Sequence, residues 1–201
     1  MQLRPVGPRA VLAETGDARS ALALALWART AGLAAGLTAV EVVPAATTVL
    51  FDGVDDPARL AERLGDWPGG LAEVAREPVE VPVTYDGDDL GFVAEQWGTD
   101  EAGVVERHTA TGFVASFCGF APGFAYLAGL DERWAVPRLD TPRARVPAGA
   151  VALAGPWCGV YPSASPGGWR VIGRTDATLW DASRPEPALL APGTPVRFVR
   201  R

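Results

Sequence analysis

The chain contains no lysine, and all 18 of its positive charges are arginine. That absence removes Schiff-base chemistry, a Walker-type phosphate loop and a kinase-like lysine, since each needs the missing amine. Any phosphate or carboxylate must therefore be met by arginine, backbone N–H groups or a metal. Cys118 and Cys158 are the only cysteines. Two are too few for a disulfide framework and fit the reduced thiols of a cytosolic protein, with one bridge between them as the alternative. With a single histidine, a structural zinc site lacks ligands. The apolar run Ala21 to Ala28 stops at Arg29, far short of the roughly 20 residues of a membrane span. Acidic Glu14 and Asp17 precede it where a signal peptide would be basic, so a cytoplasmic protein without an anchor is expected.

What is present is ordinary globular material: 201 residues, 48% hydrophobic and 21% charged. That length supports two small domains, each with its own core. Charge is unevenly spread. Residues 1–130 carry 8 arginines against 18 acids, and residues 131–201 carry 10 against 6, giving −10 and +4 and the net −6. An acidic chain of this kind is a poor general binder of nucleic acid. Its basic last third could attract a small anion or an acidic partner.

The N-terminal part reads as an α/β unit. A strand at Ala10–Ala13 leads to an alanine-rich helix capped by Asp17, with Leu22, Leu26 and Leu33 near one face, fading at Gly32 and Gly36. β-Prone runs at Thr38–Val43 and Thr47–Phe51 flank Pro44, and a helix follows over Asp56–Leu64. Trp67-Pro68-Gly69-Gly70 opens a boundary at about Asp66–Pro78, so the domains are drawn at 1–76 and 77–201. Beyond it come an edge strand at Val79–Tyr85 containing Pro82, then helices at Asp88–Trp97 and Thr99–Arg107, the second capped by Thr99. Strands at Thr111–Phe117, Ala150–Ala154, Gly159–Tyr161, Arg170–Ile172 and Pro195–Val199, separated by Gly/Pro turns, point to a barrel or sandwich.

Three blocks stand out: GFAPGFAYLAGL from Gly119, PRLDTPRARVPAGAV from Pro137 and YPSASPGGWRVIGRT from Tyr161. Their prolines fix φ and their glycines permit positive φ, so they specify loop shapes a linker would not need. With Trp157 just before the third, they carry Phe120, Phe124, Tyr126, Tyr161 and Trp169 among Arg138, Arg143, Arg145, Arg170 and Arg174. Rings and planar guanidinium forks on rigid loops suit a planar or anionic ligand or another protein; a barrel with many tight turns, its arginines solvated, is the plainer reading. His108 can be a general base before the first block or a cap favoured by its helix's C-terminal dipole. Ser163, Ser165 and Thr175 lack a nucleophile-elbow pattern, and a Cys/His pair is a weaker reading than small core cysteines.

These blocks, in this order, with Val81-Pro82 before them and Val196-Arg197-Phe198 after, closely resemble the family of B-type subunits of prokaryotic 5-oxoprolinase, also called PxpB/KipI or allophanate hydrolase subunit 1. The resemblance implies an α+β protein: a small N-terminal α/β domain followed by a cyclophilin-like β-barrel domain. It implies a non-autonomous enzyme subunit that works with C-type and A-type subunits to open 5-oxo-L-proline to L-glutamate at the expense of ATP and Mg2+, with no metal site or prosthetic group of its own. His108 and Arg145 would then be catalytic. Arg138, Arg143, Arg170 and Arg174, with Phe120, Gly123, Tyr126 and Trp169, would bind substrate or phosphate. KipI-like inhibition of a sensor histidine kinase and the carboxyltransferase half of a urea- or allophanate-metabolising enzyme are the alternatives within the same resemblance. The chain departs from the family at Thr84, where cysteine is frequent, and at Trp157-Cys158, where Gln-Thr is usual; an indole at 157 would narrow a pocket or cover a partner surface.

Overall fold

The computed structural model describes residues 1–32, 39, 41–70 and 77–201. The expectations for Leu33, Gly36, Thr38, Val40 and residues 71–76 lie outside them. Two compact units emerge, Met1–Ala75 and Arg76–Arg201.

In the first unit, strands β1 (Gln2–Pro5), β2 (Ala10–Glu14), β3 (Glu41–Pro44) and β4 (Thr48–Asp52) form an antiparallel sheet in the order β1-β2-β4-β3. Helices α1 (Ala18–Trp27) and α2 (Pro57–Gly65) complete the unit. Asp17 caps α1 by accepting from the Ser20 N–H, and Asp56 caps α2 in the same way through Arg59. The face of α1 that joins the core is Ala21, Leu24 and Ala25, continued by Ala28 in a π-helical turn, not the expected leucine face. Small alanines at i, i+4 and i+7 let the helix lie close to Val11, Val49 and Phe51, so contact distance outweighs side-chain size. Strand β1, mostly exposed, has no apolar alternation by which a sequence reading could find it.

The second unit is a nearly closed barrel. Strands β5 (Val79–Val83), β6 (Phe113–Cys118), β7 (Ala125–Ala128), β9 (Ala150–Ala154), β10 (Trp157–Val160), β12 (Arg170–Arg174) and β13 (Pro195–Arg200) make one sheet in the order β12-β9-β10-β7-β6-β13-β5. Only β13 with β5 is parallel. Pro82 sits in the edge strand, where a missing donor is tolerated. A two-way bridge between Thr84 and Arg174, 2.9 Å each way, links the two edge strands. A ribbon of β8 (Arg143–Val146) and β11 (Ser165–Gly167) stands apart from the sheet.

Strand β9 explains the layering. All five residues are buried. Val151 and Leu153 point into the barrel core with Val81, Phe113, Leu127 and Phe198, while Ala150, Ala152 and Ala154 face a second cluster of Phe124, Val146, Tyr161 and Trp169. Helices α3 (Leu90–Gln96) and α4 (Glu101–Ala110) pack on the barrel. Asp100, rather than Thr99, caps α4: its Oδ1 accepts the Gly103 N–H at 2.8 Å. Asp100→Ala is expected to lower stability by about 1 kcal/mol and Asp100→Ser by far less, read from urea unfolding midpoints. Equal midpoints for all three would show the cap to be idle. Cys118 and Cys158 carry thiols, so the alternative of a bridge between them is not realised. Among the described residues no helix is long and apolar enough to cross a membrane.

Candidate functional site

Outside β9 the aromatic cluster opens into a cavity of about 330 Å3. Its walls are Phe120, Phe124, Tyr126, Tyr161 and Trp169, with Pro142 and Pro166 at the ribbon and Arg138 as the one charged group. The rings lock one another: Phe124 meets Tyr126, Tyr161 and Trp169 edge-on at 5.2–5.5 Å, and Phe117 stacks behind Tyr126 at 4.3 Å. The loop from Gly119 to Phe124 closes on itself through Gly119 N–H to Phe124 O and Phe124 N–H to Ala121 O. Phe120, at its tip, has φ +69° and is 62% exposed, the only described residue other than glycine with positive φ. A bulky side chain in that region is strained, and such strain persists where the surroundings enforce it. Gly123 does not face the cavity as a ligand would. At φ +85° its backbone lies against Leu179 and Trp180, where a Cβ would come within 2.8 Å of Trp180 Cβ.

Two further glycines shape the cavity floor. A Cβ at Gly167 would stand 2.4 Å from Tyr161 Oη, and one at Gly168 would stand 3.5 Å from Arg138 Nη2. Gly167 thus clears space for the phenol, and Gly168 lies in ordinary contact with the neighbouring guanidinium. Burial raises the Tyr161 pKa, while the Trp169 amide, Arg138 and Arg143 pull it back. Arg138 is exposed and makes no ion pair with any described residue.

The structure divides the other arginines. Arg143, Arg145 and Arg174 line a second groove of about 260 Å3 together with Asp86 and Asp88. Arg174 pairs with Asp86 at 2.8 Å and Arg143 with Asp89 at 2.9 Å, leaving Arg145 as the exposed guanidinium that no described carboxylate engages. Arg170 lines neither cavity. It donates to Pro137 O at 3.1 Å, pairs with Asp89 at 3.4 Å and lies over Phe92 at 3.7 Å, so its donors are committed to holding the barrel together. Among the described residues no group of three His, Cys, Asp or Glu forms a metal cage.

His108 is not at either cavity. It lies fully buried on α4, its Nδ1 2.7 Å from Tyr85 Oη and its Nε2 3.3 Å from Cys158 Sγ, with the Phe198 ring 4.5 Å away. Burial lowers its pKa to about 3, so it is neutral at physiological pH. The phenol is the stronger donor, so we assign Tyr85 O–H to Nδ1 and Nε2–H to the sulfur. Burial also raises the Cys158 and Tyr85 pKa values, which keeps thiol and phenol protonated. The structure places His108 in the last turn of α4, as the helix-end reading expects, but as a neutral, interior hydrogen-bonded histidine away from both cavities. Trp157 likewise lines neither of these two cavities and meets Phe117 edge-on at 5.2 Å, backing the Tyr126 wall. Tyr161 belongs to the rings that the sequence places on these loops, without a ligand-binding role of its own, and Asp89 carries no local signal.

The family described as carboxyltransferase domain, subdomain C and D, matches residues 1–190. The B-type subunit of 5-oxoprolinase from Escherichia coli O157:H7 is 43% identical over 169 residues, covering 80% of this chain and 77% of its own length. The crystal structure of TTHA0988 is similar over 96% of this chain at 36% identity with a TM-score of 0.78, and this chain spans 40% of that one. The urea amidolyase of K. lactis, at 20% identity and a TM-score of 0.70, shares the fold over 99% of this chain and 15% of its own.

Proposed function

Because the chain belongs to the carboxyltransferase domain, subdomain C and D, family, we propose that it is the B-type subunit of an ATP-dependent 5-oxoprolinase, acting in the cytoplasm with C-type and A-type subunits. The observation that carries this reading is the aromatic cavity around one uncommitted guanidinium. 5-Oxoproline is a small ring with apolar faces, a lactam and one carboxylate. Flat rings suit its faces, and Arg138 suits its carboxylate as a bidentate fork. No lysine exists to do the same work.

A lactam is a poor electrophile, so opening it needs its carbonyl oxygen activated before water attacks. ATP supplies that activation by phosphoryl transfer. In this chain Arg145, which no described carboxylate engages, is the group able to meet the nucleotide's phosphate charge from the second groove. The donor set fits magnesium poorly as a resident ion: only Asp86 and Asp88 line that groove, and Asp86 already holds Arg174. We therefore assign the nucleotide's metal to the other subunits of the complex. His108 contributes by fixing α4 against the barrel.

The test is to mix the three purified subunits with ATP, Mg2+ and 5-oxoproline and to measure glutamate. Arg138→Ala is expected to raise the KM for 5-oxoproline about 30-fold, the loss of one charge-assisted pair, with a smaller change in kcat. Arg145→Ala is expected to lower kcat instead. No glutamate from a verified wild-type complex overturns the reading, and unchanged kinetics in either variant removes that arginine from the site.

A further inference from the structure

Resting on that reading, we propose that Tyr161 is a catalytic residue of the aromatic cavity, the acid that protonates the ring nitrogen as the cyclic amide opens. Three observations converge on its hydroxyl. It belongs to the cavity wall, and the ring behind it is held edge-on by Phe124 at 5.5 Å, so the phenol has a fixed aim. Gly167 is required for that aim, since any Cβ there would stand 2.4 Å from the oxygen. The guanidinium of Arg138 lies against Gly168, the residue next to Gly167, and lines the same cavity, so a ligand carboxylate on Arg138 brings the rest of a five-membered ring to the phenol.

The chemistry of lactam opening demands such a donor. When the tetrahedral adduct of water and the activated carbonyl collapses, the C–O double bond re-forms and the ring C–N bond breaks, its electron pair remaining on nitrogen. An amide anion is too basic to leave, so a proton must arrive as the bond stretches. Tyr161 O–H gives that proton and the nitrogen becomes the product's amine. The phenolate left behind lies near the charges of Arg138 and Arg143 and recovers its proton from the adduct's hydroxyl as the new C=O forms. The phosphoryl stays on the other oxygen as an acyl phosphate, which a second water hydrolyses to carboxylate and inorganic phosphate. Burial keeps the resting phenol protonated, and the two nearby cations favour the phenolate once it forms. The other titratable group facing it is Tyr126, also a phenol, which opposes phenolate formation. Cys158 and His108 are engaged with each other in the barrel interior and line no part of this cavity.

The experiment uses the reconstituted three-subunit complex. Tyr161→Phe keeps the ring and its packing, so its melting temperature should match wild type within a few degrees. Its kcat for glutamate is expected to fall about 100-fold or more, with the KM for 5-oxoproline changed less than threefold and the alkaline fall of the pH profile abolished. Replacing Tyr161 by 3,5-difluorotyrosine, whose phenol is more acidic, is expected to restore turnover and move that alkaline limb to lower pH. A Tyr161→Phe complex with wild-type kcat, or an alkaline limb indifferent to fluorination, overturns the assignment. Both outcomes require an active wild-type complex, so they are distinct from failure of the oxoprolinase reading, in which wild type itself makes no glutamate.

Discussion

Asp89→Ala is expected to lower the thermal unfolding midpoint of the chain by about 10 °C, corresponding to about 3 kcal/mol. The carboxylate is 5% exposed and ties together three segments distant in sequence. Its Oδ2 accepts the Val171 N–H at 2.7 Å and pairs with Arg143 at 2.9 Å, and its Oδ1 pairs with Arg170 at 3.4 Å. The Asp89 N–H returns a bond to Val171 O at 2.9 Å, so main chain and side chain clamp the start of α3 to β12 from both ends. Alanine leaves the Val171 amide without an acceptor and two guanidinium groups, 15% and 27% exposed in their side chains, without their shared counter-charge. Losing one partner of an ion pair this deep is worse than never having built it, because the desolvated charge remains. The partial exposure of Arg143 holds the figure at the lower end of the usual range. Asp89→Asn keeps an acceptor for Val171 but not the charge, and should fall about midway. Differential scanning calorimetry separates the cases, and an Ala variant melting with wild type would show that the clamp carries no net stability.

Elements whose own residues set their conformation were legible in the sequence. Asp17 and Asp56 announce helix starts because a side-chain oxygen beside an exposed N–H is a local matter. Pro82 announces an edge because the missing donor is likewise local. The strands that escaped reading, β1, β7, β8 and β11, are only 4, 4, 4 and 3 residues long, and their conformation comes from partners elsewhere in the chain. Within β11, Pro166 and Gly167 oppose strand by propensity, and the pairing with β8 overrides them. Strand β9 reads as a plain apolar run, and only the presence of a core on both faces gives its alternation of Ala with Val and Leu a meaning.

The candidate site was legible in its residue types but not in its grouping. Aromatics and arginines in loops pointed to one anion pocket, whereas Arg138 and the rings line one cavity and Arg143 and Arg145, on β8, line another. Arg170 looks in sequence like any other arginine of the set. What removes it is a carboxylate 81 residues away, which no local pattern reports. Tyr161 reads as one more ring at the end of the Gly159–Tyr161 strand, because what sets its hydroxyl apart is the missing side chain of Gly167.

His108 should make the chain acid-sensitive in a window that carboxylates alone do not explain. In the unfolded chain its pKa is that of an ordinary imidazole, 6.5, and in the folded barrel burial lowers it to about 3. Below pH 6.5 the unfolded state takes up a proton that the folded state refuses, so stability is complete above 6.5 and falls as pH falls towards 3. The slope approaches about 1.4 kcal/mol per pH unit, with about 2.5 kcal/mol lost between pH 6 and pH 4. Protonation inside would give the ring two N–H donors and place a charge between Phe113 and Phe198, so the chain opens before the imidazole titrates in place. His108→Phe removes the titration while filling the space, and its unfolding free energy should be nearly flat between pH 6 and 5, where few carboxylates protonate. The variant should nevertheless be weaker by about 2 kcal/mol at pH 7, since the Tyr85 hydroxyl and the Cys158 thiol lose the nitrogens that join them. His108→Ala adds a cavity beneath α4 and should cost about 4 kcal/mol. Urea unfolding curves collected every half pH unit check both statements. A wild-type profile as flat as that of His108→Phe between pH 6 and 5 would mean that the interior imidazole gains its proton without unfolding the barrel.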